Sequence, residues 1–366
     1  MKKRNRQIKI LLFYLFFLPL AGWAQDPHLS QFQSAPLWLN PAFTGEFGGD
    51  IRFVANYRNQ WASIPAPYNT GMFSVDTKIQ VANSFSHFGV GASFYRDGAG
   101  DLDFNTTSAQ LSVAYNMYLG SQANSDFYAY LGGQYGRVWQ SFDLTKAVLE
   151  NPDQETTFDN NIGYNDFSVG FVGVWVMPDF FVHVGVAYSH LNTPETSFSP
   201  SEEPAPGDVF LHSKQVYHCA ANFNLKNNKV TLIPAVQYLR QHRQTALIVG
   251  TDLFFNQLKQ KASSKQLDWG IGVHHRWQDA VILSTKFRLA QQYNLGISYD
   301  LPISQINQPS NSYGGVEIFM SFTIPPKFKQ GDYPRQGGGL IDLKCPSAGK
   351  RPKERNPWFR ENGVGL

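Results

Sequence analysis

The stretch Asn40–Trp61 reads NPAFTGEFGGDIRFVANYRNQW, and it sets the phase of the chain that follows. Asn40-Pro41 cannot continue a helix, and Gly45 can adopt a positive φ without strain, so NPAFTG is typical of a tight turn. After a short acidic and glycine-rich link, apolar and aromatic side chains recur at every second position: Ile51, Phe53, Ala55 and Tyr57. A period of two is that of an extended strand, so the stretch predicts a turn followed directly by a first β-strand.

The same alternation recurs in segments of about ten residues, the length that a strand tilted by roughly 45° needs to cross a bilayer. Links rich in Gly, Pro, Asn, Asp and Ser separate these segments. We predict about fourteen strands, near residues 50–58, 70–79, 87–96, 104–119, 127–139, 167–177, 180–190, 214–225, 229–239, 246–255, 267–275, 280–288, 292–299 and 312–322. The predicted fold class is all-β: a transmembrane antiparallel β-barrel over residues 50–322.

The two faces of the predicted strands differ in polarity. In the fourth segment Leu111 and Val113 share one side, whereas Gln110 and Ser112 share the other. One face suits lipid, and the other suits water or a packed lumen. Charged residues make up only 16% of the chain and aromatic residues 15%. Ordinary soluble domains are roughly 25% charged, so the composition argues against a cytoplasmic enzyme.

Residues 1–24 combine a basic start, an apolar run from Ile10 to Leu20 and small residues before Ala24. This pattern is typical of a secretory signal peptide, and we expect cleavage after Ala24. The apolar run is too short to span a membrane as a helix. Loss of the five basic residues in this segment leaves 26 basic and 28 acidic residues, so the near-neutral mature chain gives no support to a nucleic-acid partner.

Two further segments flank the predicted barrel. Residues 25–49 precede the first strand, and one candidate role for them is a plug in the barrel mouth. Residues 323–366 form a basic tail with several prolines and glycines, for which periplasmic docking and plain disorder are both open interpretations. Long links at 140–166 and 191–213 alternate with short ones. Such alternation is the outer-membrane arrangement, with long outer loops and both termini in the periplasm.

The sequence contains no GxSxG, HExxH or P-loop motif, and its nine histidines are scattered. Cys219 lies in a predicted strand and Cys345 in the tail, so the two cysteines do not make a disulfide framework. We interpret His274-His275-Arg276-Trp277 as a strand end at the membrane interface. The sequence therefore predicts a protein that is not an enzyme and has no cofactor or metal site.

The combination of NPAFTG with Tyr57-Arg58-Asn59-Gln60-Trp61 and Ser74-Val75-Asp76 resembles the start of the PorP/SprF family of the type IX secretion system. Members of that family are outer-membrane proteins of gliding and secreting Bacteroidetes. The resemblance covers most of the chain in layout, up to Phe322. The residues that carry it are Asn40, Pro41, Ala42, Gly45, Tyr57, Arg58, Gln60, Trp61 and Asp76.

The resemblance implies a non-enzymatic outer-membrane component that supports secretion or surface attachment of partner proteins such as adhesins. Its implied partners are other type IX secretion components, the cargo protein and outer-membrane lipid. A second function class stays open, namely a FadL-like or porin-like barrel for passive solute transport, because FadL-type transporters also carry an NPA-like turn. For the scaffold function, we expect Arg58 and Trp61 to brace the adjoining loop against an inward carboxylate such as Asp76.

Overall fold

The computed structural model describes residues 26–60, 67–81, 84–122, 125–146, 160–177, 180–198, 210–225, 229–256, 267–290, 292–303 and 314–325. The predicted signal peptide, Trp61, Cys345 and the tail from residue 326 onward lie outside the described residues. So do the central parts of the two longest predicted loops. The statements below concern the described residues.

Within these ranges, fourteen strands form one closed antiparallel barrel in which each strand pairs with its sequence neighbours and β1 closes on β14. Their bounds are β1 Ile51–Gln60, β2 Tyr68–Gln80, β3 His87–Ala99, β4 Phe104–Gln122, β5 Ser125–Ser141, β6 Asn161–Val176, β7 Phe180–Ser189, β8 Lys214–Leu225, β9 Val230–Gln241, β10 Gln244–Phe255, β11 Leu267–Arg276, β12 Ala280–Leu289, β13 Tyr293–Pro302 and β14 Gly315–Ile324. The predicted fold class and strand number are confirmed.

Alternation along each strand decides which side chains face inward. On β4, Leu111 and Val113 are 65% and 58% exposed, whereas Ser112 and Ala114 between and beyond them are buried. The same contrast separates outward Ile271 from its inward neighbours on β11. The predicted faces are therefore confirmed. Large apolar side chains cover the outer wall, as expected for strands that face hydrocarbon.

One strand boundary differs clearly from the prediction. β6 begins at Asn161, whereas the sequence pattern placed its start at residue 167. The extra residues pair with the end of β5, for example Asn165 with Arg137. Their outward positions hold Gly163 and Asn165 rather than apolar residues, so the change of polarity that marks a strand is absent there. The link before β6 is correspondingly shorter than predicted.

The two rims of the barrel carry links of different length. The loop end, as we call one rim, carries links 61–67, 100–103, 142–160, 190–213, 242–243, 277–279 and 303–314. The turn end carries links 81–86, 123–124, 177–179, 226–229, 256–266 and 290–292. Apart from 256–266, links at the turn end are short. The longest links, 142–160 and 190–213, lie at the loop end as predicted, whereas 100–103, 242–243 and 277–279 at the same end are as short as most links at the turn end.

Residues 26–50, here called the lumenal segment, run through the interior of the barrel. Asp26 lies beside His190 and Lys214, at the loop end. Gly45 contacts Asp76 near the turn end, shortly before β1 begins. The described start of the chain thus lies at the loop end, which differs from the prediction that both termini lie at the turn end. The pattern of strands and links fixes where β1 starts, but it carries no information on the path before β1.

Short helical turns shape the lumenal segment. The α-helix α1, Pro36–Leu39, lies between the 3-10 turns Phe32–Ser34 and Pro41–Phe43. Pro36 and Pro41 each occupy a first helical position, where the missing N–H costs no hydrogen bond. Leu37, Leu39, Ala42 and Phe43 are buried. In the described part of the chain, no helix has both the length and the apolar character that a membrane crossing requires.

Candidate functional site inside the barrel

Asn40 fixes the middle of the lumenal segment to the wall. Its Nδ2 donates to the carbonyls of Phe171 and Val186 at 3.2 and 3.1 Å. The same nitrogen lies 3.0 Å from His218 Nε2. Asn40 Oδ1 accepts from Ala42 N at 2.9 Å and so caps the turn that follows. One buried amide therefore joins this turn to β6, β7 and β8.

Inward glycines give the NPAFTG turn room to lie against the wall. A Cβ atom at Gly132 would overlap the main chain of Pro41, and one at Gly170 would overlap the Asn40 side chain. Close approach of two main chains requires glycine at such positions. Gly45 itself has a φ of 77°, a positive value that glycine adopts without strain. The turn and the wall are therefore complementary in shape.

Arg52 and Asp76 form the core of a turn-end cluster. Arg52 Nε and Nη2 donate to the two Asp76 oxygens at 2.9 and 2.7 Å. Asp76 Oδ2 also accepts from Gly45 N at 2.8 Å. The guanidinium further donates to the carbonyls of Phe43 and Glu46, at 3.2 and 3.1 Å. Because Arg52 faces Asp76 in the β1–β2 register, two neighbouring strands grip the main chain of the lumenal segment.

Glu46 lies buried beside the turn-end cluster. Its Oε2 accepts from Asn116 Nδ2 at 3.2 Å and lies 3.7 Å from His87 Nε2. Glu46 therefore joins the lumenal segment to β3 and β4.

A loop-end cluster holds the lumenal segment near Ser30. Arg58 lies 2.8 Å from Asp300 and 3.2 Å from Glu317. Arg276 reaches the same Asp300 oxygen at 2.5 Å. Ser30 donates through Oγ to Asp300 and through its main-chain N to Glu317, both at 2.7 Å, and Arg58 also contacts its hydroxyl. The wall residues come from β1, β11, β13 and β14, so this cluster spans the seam where the barrel closes.

The described start of the chain is held by a mouth cluster. Asp26 lies 2.9 Å from His190 Nε2 and 2.6 Å from Lys214 Nζ. His190 Nδ1 lies 2.9 Å from Asp166. Burial lowers the pKa of His190, but the charge of Asp26 and the hydrogen bonds to Asp166 and Asp26 outweigh burial and raise this pKa to about 9. His190 is therefore a cation between two carboxylates at neutral pH.

The structure divides the nine motif residues among different places. Asn40, Pro41, Ala42 and Gly45 lie in the lumenal segment, and Asp76 faces inward from β2. Tyr57 faces outward, whereas Arg58 on the same strand is buried inside. Gln60 accepts from Arg58 Nη2 at 3.4 Å near the loop end. Trp61 lies outside the described residues.

The predicted contact between Arg58 and Asp76 is wrong. Asp76 pairs with Arg52, while Arg58 pairs with Asp300 and Glu317. The two arginines lie six positions apart on β1, and a strand rises about 3.3 Å per residue, so they lie at different levels of the lumen. The prediction correctly placed the partner of Asp76 on β1, but it chose the wrong arginine of that strand.

Several residues of the three clusters escaped the sequence-based prediction, namely Ser30, Arg52, Arg276, Asp300 and Glu317. Arg276 was interpreted as part of a strand end at the membrane interface, but it points into the lumen and is buried. The sequence signal that could have found the two β1 arginines is the alternation along the strand. Arg52 and Arg58 occupy the face of β1 that is opposite to the outward face. In the described ranges, no three His, Cys, Asp or Glu side chains are grouped as metal ligands.

The sequence profile of one family, described as type IX secretion system membrane protein PorP/SprF, matches residues 21–322. The chain belongs to the PorP/SprF family. The match covers the lumenal segment and nearly all of the barrel, so the resemblance at the NPAFTG stretch is confirmed. Family and fold together support an outer-membrane location and association with other components of the secretion system. They indicate a membrane protein of secretion or transport.

Several solved structures are similar to this PorP/SprF barrel. CdiB from Escherichia coli aligns with a TM-score of 0.46 at 7% identity, over 75% of this chain and 62% of that chain. The CymD monoaromatic hydrocarbon channel aligns with a TM-score of 0.42 at 10% identity, over 80% and 93%. A Pseudomonas aeruginosa FadL homologue aligns with a TM-score of 0.40 at 12% identity, over 79% and 93%. The chain thus spans less than two thirds of CdiB, and no curated protein matches it in sequence.

Proposed function

We propose that this PorP/SprF protein is a closed scaffold of the type IX secretion system that supports secretion or surface attachment of cargo proteins such as adhesins. The lumenal segment is the observation that carries the proposal. It crosses the barrel between the two rims and is tied to the wall at its start, middle and end. Passage of small polar solutes needs a continuous wet lumen, whereas here the inward charges of the three clusters bind the lumenal segment.

The lengths of the links support an orientation. We place the loop end outside the cell, because long outer loops and short periplasmic turns are the rule in outer-membrane barrels. After cleavage at Ala24, the mature chain then begins at the outer mouth, next to Asp26. The tail after Ile324 begins in the periplasm. Cargo binds the outer loops or the mouth, and the tail binds periplasmic machinery.

Deletion of the gene, with complementation by the wild-type chain, tests the scaffold function. We expect surface display of one or more exported proteins to fall in the deletion strain and to recover on complementation. Affinity purification of the tagged protein from outer membranes, followed by mass spectrometry, then identifies the secretion components and the cargo. Normal export in the deletion strain would contradict the proposal.

Conductance separates the scaffold from a FadL-like or porin-like channel. The purified protein in planar bilayers is expected to give no steady ion conductance if the lumenal segment, which lies in the passage, blocks it. Uptake of hydrophobic and small polar solutes by the deletion strain should equal that of the wild type. Open channels, or lost uptake together with normal export, would favour the transport function instead.

A further inference from the structure

A depression lies on the outer surface of the barrel wall, near the loop end of β1 to β4. Its volume is about 610 Å³. The lining includes Tyr57, Asn69, Arg96, Asp103, Asn105 and Lys146. Outward-facing Gly71 lies within it, and a Cβ atom there would meet no atom within 4 Å. The depression therefore exists partly because this position lacks a side chain.

The depression lies where the outward side chains change from apolar to polar. Toward the turn end, the same strands expose Phe73, Phe94 and Leu111. At the level of the depression they present Asn69 and Asn105 instead. On a membrane barrel, such a change marks the border between hydrocarbon and headgroups. At this level of the barrel, the molecules next to the depression are lipids of the outer leaflet, and they present their headgroups to it.

The charges in the depression balance. The cations Arg96 and Lys146 are matched by Asp101 and Asp103, and Lys146 contacts Asp103 directly. A phosphate group prefers cations without neighbouring carboxylates. Hydroxyl groups both donate and accept hydrogen bonds, so they suit a mixture of carboxylates, amides and a guanidinium.

Tyr57 adds an aromatic surface to this polar set. It is 50% exposed, and its hydroxyl donates to Asn69 Oδ1 at 2.9 Å, which holds the ring in place. Arg96 donates to Asn105 Oδ1 at 3.3 and 3.4 Å. An amphipathic ring beside planar polar groups fits a sugar ring, which has both apolar C–H faces and hydroxyl edges.

We propose that this depression binds the sugar headgroup of a glycolipid in the outer leaflet, with the acyl chains along Phe73, Phe94 and Leu111. The site rests on the membrane location of the barrel and on the proposed orientation with the loop end outside the cell, and it is independent of the scaffold function. Its ligand is a lipid-linked saccharide, as in lipopolysaccharide, rather than a free one.

Filling the depression tests the proposal without disturbing the barrel. In Gly71→Trp the new side chain enters the depression, because a Cβ atom there meets nothing. The matched control is Gly133→Trp, also outward-facing, where the nearest atom to a Cβ is Ser168 O at 4.0 Å. All three proteins are purified in mild detergent from outer membranes that contain lipopolysaccharide, and bound lipid is measured by native mass spectrometry. Lipopolysaccharide freed of its acyl chains serves as the soluble competitor.

We expect bound glycolipid on the wild type and on Gly133→Trp, and about tenfold less on Gly71→Trp, the change that follows from loss of one or two hydrogen bonds and a ring contact. Weak competition by the deacylated saccharide supports a lipid-linked ligand, and complete competition overturns that part of the proposal. Equal glycolipid on all three proteins overturns the site. If the wild type instead retains anionic phospholipid in preference to glycolipid, the proposed sugar headgroup is wrong and the ligand is a phosphate group.

Discussion

The turn-end and loop-end clusters hold the same lumenal segment, but their charges come from different distances along the chain. At the turn end, Arg52 and Asp76 are 24 residues apart and lie on neighbouring strands. At the loop end, Arg58 meets Asp300 and Glu317, which are 242 and 259 residues away. The first pair forms as soon as β1 pairs with β2. The second cluster requires the barrel to close.

The two clusters also depend differently on the lumenal segment. Arg52 and Asp76 satisfy each other in a bidentate pair whether or not the segment is docked. Glu317, by contrast, accepts from the main-chain N–H groups of Ser30 and Gln31 at 2.7 and 2.9 Å. A carboxylate that loses such donors inside a barrel is strongly penalised. Detachment of the segment is therefore expected to cost more at the loop end than at the turn end.

Arg52→Ala should have the largest effect, because it leaves Asp76 buried without its cation. Breaking a buried ion pair typically costs about 3–5 kcal/mol. We expect a loss of that size in the unfolding free energy, measured by urea titration of the barrel in lipid vesicles. Arg240→Ala, which removes an exposed arginine from β9, serves as the control. If both variants unfold at the same urea concentration, the Arg52–Asp76 pair does not stabilise the barrel.

Arg58→Ala should cost about 3 kcal/mol, the lower end of the range for a broken buried ion pair, because Glu317 loses its cation while Arg276 still neutralises Asp300. We expect a folded barrel at normal abundance in the membrane and increased proteolysis of the residues before α1. Export of the cargo should fall while solute uptake stays unchanged. Normal export together with altered uptake would reverse the choice between scaffold and channel, and two unchanged readouts would reduce Arg58 to a structural residue.

Gly132→Val tests the middle of the lumenal segment, between the two clusters. The new side chain would overlap Pro41, and overpacking of this kind costs about 1–3 kcal/mol. Gly133→Val is the matched control, since it adds the same atoms to the outer face of the same strand. We expect only Gly132→Val to raise proteolysis within NPAFTG. Equal protection in both variants would mean that the turn does not pack on the wall at this position.

The smallest effect concerns pH at the mouth cluster. The pKa of His190 is raised from its ordinary value of 6.5 to about 9. The stability from this cation is fully present below about 6.5 and is lost as the pH rises through about 9. Trimming of the N-terminal residues by an added protease should therefore increase severalfold between neutral pH and pH 10, relative to a peptide substrate. His190→Gln should flatten this profile, and an identical profile in both proteins would show that His190 is not responsible.

The strand number, the faces and most boundaries followed from the sequence, because alternation is a local property of each strand. The apolar side chains Leu111 and Val113 identify the outward face of β4 without any knowledge of the residues on other strands. The boundary of β6 failed where this local signal fades, at Gly163 and Asn165. The NPAFTG turn is also a local feature, and the sequence predicted it, including a glycine at position 45 that can adopt a positive φ.

Only the tertiary structure decided what the inward charges bind. Arg58 meets Glu317 because the β1–β14 register places these two residues opposite each other. A register between the first and last strands is a property of the closed barrel, and no periodicity in either strand encodes it. The path of the lumenal segment is likewise a matter of long-range contacts, from Asp26 with Lys214 to Gly45 with Asp76. The sequence alone determined the wall, whereas closure of the barrel determined what fills it, since alternation specifies a face and not a partner.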